Sequence, residues 1–318
     1  VDETYNTPYD DVFRTVLNDC SSLIIPVINE VFGENYSGNE AVVFQPNELF
    51  MERQDGKENK IITDSHFFII GLAVKKKYHL ECQSSSDNSM LFRIFEYDSQ
   101  IALNEGEIKE EVLEVQFPHS AVIYLRHTAN TPDAMKVRII TPGGQTEYGI
   151  PVMKTQTYSI EEIFRKKLLF LIPFYIFSHE ANLSEYDKDK EKLKELQKEY
   201  KTIREKLQEL CDSNEIDEYT KRTLIEMSNK VVQSIAAKYE NVQKGVKEVM
   251  GGKILEYEAK TLRNEGIVLG REKGRAQGKY EAVTSLIELG YAPSAACDML
   301  RVVMEDYEKY RQENQCEN

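Results

Sequence analysis

Four residues carry the first chemical signal in this 318-residue chain: Asp64, His79, Glu81 and Gln83. Asp64 stands inside the apolar run 61–70, where a carboxylate is costly unless it is exposed or liganded. His79, Glu81 and Gln83 alternate with Leu80 and Cys82, so in a strand the first three share one face. If the two runs pair as a hairpin, Asp64 converges on the Glu81 and Gln83 face. Two carboxylates with a backbone carbonyl, here that of Cys82, make a hard-cation site that suits Mg²⁺ or Mn²⁺ with water ligands. Such an ion activates a water and neutralises charge on a phosphodiester. The competing reading of the same residues is a solvent-facing polar row on an edge hairpin.

Other candidates are weaker on residue grounds. Arg93 and Tyr97 stand at i and i+4, so a helix puts them on one face. They contact phosphate, or Arg93 pairs with an acid while Tyr97 packs. Asp10 reads as a helix cap in preference to a metal ligand. His66 and His79 read as exposed or core histidines in preference to bases. Lys75, Lys76 and Lys77 read as a hairpin turn, with DNA-backbone contact the minor alternative.

The elements that must position these groups follow from periodicity. The apolar residues Val12, Phe13, Val16, Leu17, Leu23, Ile24, Val27, Ile28 and Val31 predict one or two amphipathic helices that close at Gly33. Strands are expected at 41–50, 61–70, 78–83 and 121–127, with a helix at 90–103 marked by Leu91, Ile94, Phe95, Asp98 and Ile101. Runs 136–141 and 147–153 flank the turn Pro142-Gly143-Gly144-Gln145, a hairpin signal. Ser159 with Glu162 opens a helix as a capping box, and the apolar stretch interrupted by Pro173 reads as a buried helix. Leu193, Leu196, Tyr200, Ile203, Leu207 and Leu210 form a heptad seam. A turn at Asp212-Ser213-Asn214 and a return helix over 216–250 complete an antiparallel hairpin. Gly266, Gly270, Gly274 and Gly278 then recur every four residues in a charged segment. Such a groove is expected to pack against another helix, either the hairpin or the tail of a second copy; the alternative is an exposed, partly frayed helix that its glycines weaken. A helix-turn-helix following it has little support from charge.

Charge and cysteine usage bound the function. Lys and Arg number 40 against 54 Asp and Glu, a net charge of −14, and residues 1–180 hold 16 against 27. A uniformly basic nucleic-acid footprint is absent, which argues against tight general DNA binding by a monomer. The five cysteines are scattered and never in a CxxC, which fits a reducing cytosol. With the histidines scattered too, a catalytic metal would rest mainly on carboxylates. No apolar run approaches the ~18 residues of a membrane span, so a cytoplasmic rather than membrane or secreted protein is expected.

The order of a helix, a strand with Asp64, a strand with Glu81-Cys82-Gln83, a helix and a further buried strand resembles the PD-(D/E)XK nuclease superfamily. More narrowly, the chain is similar to the bacterial recombination-promoting nuclease and putative transposase family. The matching residues are Asp10-Asp11-Val12-Phe13-Arg14, Asp64, Leu80-Glu81-Cys82-Gln83, Arg93 with Tyr97, the stretch around Pro173, Val249-Met250-Gly251-Gly252 and the glycine-repeat tail. The resemblance implies an α/β fold: a restriction-endonuclease-like core over 1–183, with a mixed central sheet flanked by helices. A helical hairpin over 184–252 and a helical tail over 253–318 follow. It implies a Mg²⁺-dependent DNA endonuclease in which Asp64 and Glu81 hold the ion, Gln83 stands where the superfamily motif has Lys, and Arg93, Tyr97 and Asp10 lie near. The alternative is a catalytically weak relative acting through oligomerisation or protein interaction.

Overall fold

A computed structural model describes residues 8–44, 48–52, 58–62, 65–71, 75–84 and 89–251, with isolated positions between 283 and 307. Two compact units divide the chain, Val1–Leu255 and Glu256–Asn318. The four tail glycines lie outside the described residues, as does Asp64.

The first helix, α1 (Pro8–Asp19), buries Val12, Phe13, Val16 and Leu17 along one stripe. Asp10 is not its cap. It sits with Asp11 inside the first turn, where a carboxylate complements the positive end of the helix dipole. Helix α2 (Ile24–Phe32) stops where expected, at Gly33, whose left-handed φ of 66° suits a residue without Cβ.

Strands β1 (Ala41–Phe44), β2 (Glu48–Glu52), β3 (Glu58–Ile62), β4 (Ser65–Ile70) and β5 (Lys75–Gln83) follow. Two expected strands are therefore each two. The run 41–50 divides between β1 and β2, and 61–70 divides between β3 and β4; β2 and β3 form a separate two-stranded ribbon. The breaks carry local marks that apolar periodicity passes over: Gln45-Pro46-Asn47 interrupts the first run and Thr63-Asp64 the second, and proline, asparagine and aspartate are strand-breaking turn residues. Lys75, Lys76 and Lys77 are likewise not a turn; they are the first residues of β5. Two lysines are held from the side: Lys76 by Glu34 at 2.6 Å and Lys77 by Glu105 at 2.6 Å.

Helix α3 (Met90–Asn104) leads through the small ribbon β6 (Glu107–Lys109) and β7 (Val112–Glu114) to β8 (His119–Tyr124). The hairpin of β9 (Ala134–Thr141) and β10 (Gly144–Lys154) closes at the expected turn, with Thr141 opposite Gly144. The main sheet has six strands in the order β1-β4-β5-β8-β10-β9. Pairs β1–β4 and β4–β5 are antiparallel, β5–β8 and β8–β10 parallel, and β10–β9 antiparallel. A parallel pair needs a crossover, and α3 lies on the connection from β5 to β8. The sheet is thus mixed and flanked by helices.

Strand alternation sorts the side chains into two layers. On one face Phe67, Ile69, Leu80, Cys82, Ala121, Ile123 and Met153 join the large core with α1 and α2. On the other, Val122, Tyr124 and Ile150 pack with Met90 and Ile94 of α3 in a smaller core.

The capping box of Ser159 and Glu162 opens α4 (Ile160–Arg165) with both reciprocal hydrogen bonds. The Pro173 stretch is a buried 3₁₀ run, Leu169–Asn182, and not an α-helix; a proline lacks the donor that an α-helical interior requires. Helices α5 (Leu183–Lys188), α6 (Lys190–Asp212), α7 (Glu218–Ile235) and α8 (Glu240–Met250) complete the described part of the first unit. The expected return helix is two, α7 and α8. The seam residues Leu196, Tyr200, Ile203 and Leu207 are buried in the same core as the sheet, together with Val242 and Val246 of α8. Gly245 lets α8 approach α6: a Cβ there would meet Gln197 Nε2 at 3.1 Å and Leu193 Cδ1 at 3.2 Å. Among the described residues, no helix is long and apolar enough to cross a membrane.

Candidate functional site

Strand β5 is central, with β4 on one side and β8 on the other. Its odd-numbered residues face α3. On this face His79 is 0% exposed and Glu81 3%, so the trio His79, Glu81 and Gln83 is not a solvent-facing row. His79 Nε2 lies 3.0 Å from Glu81 Oε1, and His79 Nδ1 lies 2.8 Å from Asp98 Oδ1 on α3. With a carboxylate at each ring nitrogen, the imidazole satisfies both by donating twice, which only the imidazolium can do. Burial alone would push this ring down, but the hydrogen bonds and charges of Asp98 and Glu81 outweigh it and raise it to about 10.

Asp98 is itself 0% exposed. Its Oδ1 also accepts from Ser120 Oγ of β8 at 2.6 Å, and its Oδ2 accepts from Tyr148 OH of β10 at 3.2 Å. Burial and the neighbouring Asp98 raise the Tyr148 phenol. Tyr97 sets its ring edge-on to His79, with centroids 5.8 Å apart. One turn earlier on α3, Arg93 Nη2 donates to Gln83 Oε1 at 2.9 Å. Of the two sequence readings for this helix face, Tyr97 packs, and Arg93 binds an amide oxygen.

His66 lies across from His79 in the β4–β5 register. Burial, then the charges of His79 and Lys77, push its imidazole down to about 4. Of the two histidines read as core or exposed, both are buried, but only His79 joins a carboxylate chain by the hydrogen bonds described. Cys82 turns its thiol into the larger core, on the other face from Glu81. Asp10 rides on α1, which packs against that same larger core.

Asp64, the second expected carboxylate, lies outside the described residues. It immediately precedes Ser65 in the chain, and Ser65 pairs with Leu80, the neighbour of Glu81. Among the described residues, no group of three or more His, Cys, Asp or Glu gathers to hold a metal ion. Glu81 offers hard oxygen donors of the kind Mg²⁺ takes, but a full set needs residues beyond those described.

Sequence reasoning missed Asp98, Ser120 and Tyr148. The signal for Asp98 was an acid on the apolar stripe of α3, between Ile94 and Ile101, where burial demands a partner. Ser120 and Tyr148 carried no such mark, since a hydroxyl in a strand is ordinary.

No protein-family model matches the chain, and neither the curated proteins nor the solved structures yield a match.

Proposed function

We propose that this protein is a Mg²⁺-dependent DNA endonuclease of the recombination-promoting, PD-(D/E)XK type, working in the cytoplasm. The observation that carries the reading is the α3-facing row of β5, in which Glu81 and Gln83 are each held by a buried or half-buried partner. Its setting also supports it: a helix, antiparallel strands, a crossover helix and a parallel strand follow in the order that the superfamily resemblance implies.

In this reading Asp64 and Glu81 hold the divalent ion with the Cys82 carbonyl. The bound ion would supply a water nucleophile and charge neutralisation at the phosphate. The chain's own groups do the rest. His79 fixes one oxygen of Glu81. Gln83 accepts from Arg93 through Oε1, which leaves its NH₂ to donate to water or phosphate. The Arg93 guanidinium supplies, from α3, the positive charge that a lysine at 83 would have carried.

The test is nicking of supercoiled plasmid with Mg²⁺ and with EDTA. Glu81→Ala and Asp64→Ala are each expected to abolish metal-dependent nicking while the protein stays folded. Unchanged cleavage in both variants would sink the assignment.

A second reading, a catalytically weak relative acting through protein interaction, has its own observation. Phe92 on α3 is 81% exposed, and Ile108, Val112 and Leu113 of the β6–β7 ribbon are exposed as well. Absence of nicking by the parent protein, with self-association detected by light scattering, favours this reading.

A further inference from the structure

We infer that the cleft between α2, the end of α4 and the α6–α7 turn is a binding site for a small amphipathic anion, an apolar body carrying one carboxylate or phosphate head. The cleft is separate from the α3-facing row of β5, because α2 packs in the larger core and α3 in the smaller one on the other sheet face. Neither its ligand nor its test depends on the nuclease reading.

The cleft has a volume of about 630 Å³, within the roughly 300–1,000 Å³ of small-molecule sites. Part of its lining is apolar, from Leu23, Pro26, Leu169 and Ile216. Another part, the loop that begins at Tyr36, is held in place beforehand. Asn29 of α2 donates from its side-chain amide to the Tyr36 carbonyl and accepts from the Tyr36 N–H, each at 2.9 Å. The Glu40 carboxylate accepts from the N–H groups of Ser37 and Gly38 at 2.7 and 2.9 Å. A loop already tied to its helix spares a ligand the cost of ordering it.

The charged part of the lining carries three cations, Arg165, Lys166 and Lys167, against two carboxylates, Glu30 and Glu215. Lys166 pairs with Glu30 at 2.5 Å and Lys167 with Glu215 at 2.7 Å. Arg165 is exposed and pairs with neither of these acids. Glu162 on the same helix is engaged by the N–H and Oγ of Ser159. One cation is therefore in surplus, in a chain whose net charge is −14. A guanidinium presents a planar fork that fits a carboxylate or a phosphate.

The backbone at Lys167 is a second, independent sign. Helix α4 ends in a Schellman motif, with Lys167 N–H donating to Phe164 O at 3.1 Å and Leu168 N–H to Ile163 O at 2.8 Å. Its left-handed position is held by Lys167, at φ 57°. Glycine is the ordinary occupant, because a Cβ is strained there. The matching stop of α6 uses Asn214, at φ 58°, a residue that tolerates this region. The fold itself gives no reason for lysine. Its pair with Glu215 is 67% and 44% exposed, and such pairs contribute little. A cation that complements the helix dipole sits in the last turn, as Arg165 does. A lysine held where the backbone disfavours it is accounted for by an anion that its ammonium meets in the cleft.

The experiment titrates the full chain by calorimetry with decanoate, with decyl phosphate and, at equal tail length, with decylammonium, alongside thermal melts by circular dichroism. One of the two anions is expected to bind at a single site, and decylammonium at least about 10-fold more weakly; the tighter anion tells carboxylate from phosphate. Arg165→Gln is expected to weaken that anion about 10-fold, the scale of a hydrogen bond to a charged group, and to melt with the parent. Lys167→Gly is expected to weaken it by a similar factor yet to melt no lower than the parent, since glycine relieves the left-handed backbone. Kept stability with lost affinity is the opposite of what a purely structural lysine gives. Arg165→Gln carries the test alone should Lys167→Gly not fold. Equal affinity for decanoate, decyl phosphate and decylammonium, or no binding of either anion by the parent, overturns the site. Parental anion affinity in both variants overturns it as well, and a lower melt of Lys167→Gly alongside that result assigns the lysine to the fold alone.

Discussion

Gln83 and Arg93 define the chemistry most open to change by single residues. A lysine at 83 would bring an ammonium against the Arg93 guanidinium, because Gln83 Oε1 and Arg93 Nη2 are 2.9 Å apart. Like charges at that distance repel, so Gln83→Lys alone gains less than the bare motif comparison suggests. Arg93→Ala is expected to lower kcat by about 10²-fold, the usual scale for removing one preorganised donor from a transition state. In that background Gln83→Lys should restore most of the rate, since one positive charge then replaces another. Steady-state nicking by the two single variants and the double variant checks this; additive losses would contradict it. The face shared by His79, Glu81 and Gln83 was legible from alternation alone. The partner of His79 was not, because Asp98 lies 19 residues away and meets it only after α3 has crossed the sheet.

Elements show the same division between local and distant causes. The stop of α2 at Gly33, the β9–β10 turn and the Ser159 capping box are written in adjacent residues, and each appears where periodicity and turn chemistry put it. The break between α7 and α8 is different. No glycine or proline marks residues 236–239, and the cap of α8 comes from another helix: Asp187 of α5 accepts from the backbone of Asn241 at 2.8 Å and of Val242 at 3.4 Å. A cap lent across space leaves no local pattern, so 216–250 reads as one helix from the sequence. Asp187→Ala should cost about 1 kcal/mol, the ordinary worth of an N-terminal cap. Urea denaturation would register this as a lower midpoint with an unchanged slope, whereas no shift would mean that water replaces the carboxylate without loss.

For the whole molecule, the larger core runs from α1 through the sheet to α8, and so lies within the unit Val1–Leu255. A fragment of residues 1–255 is therefore expected to fold by itself with a single cooperative melt, as a domain with its own core does. It should keep any Mg²⁺-dependent nicking; a fragment that is soluble but melts without cooperativity would contradict the division. The mixed sheet also bears on the order of events during folding. Strands β4 and β5 are neighbours in the chain and pair cheaply, whereas β5 meets β8 only after a long connection has closed, and such contacts form slowly. Glu81 and His79 are present on the early pair, but Asp98, Ser120 and Tyr148 arrive with the late one. A newly made chain is therefore expected to hold the acidic row of β5 before its partners reach it, with a latency that ends only when the crossover closes.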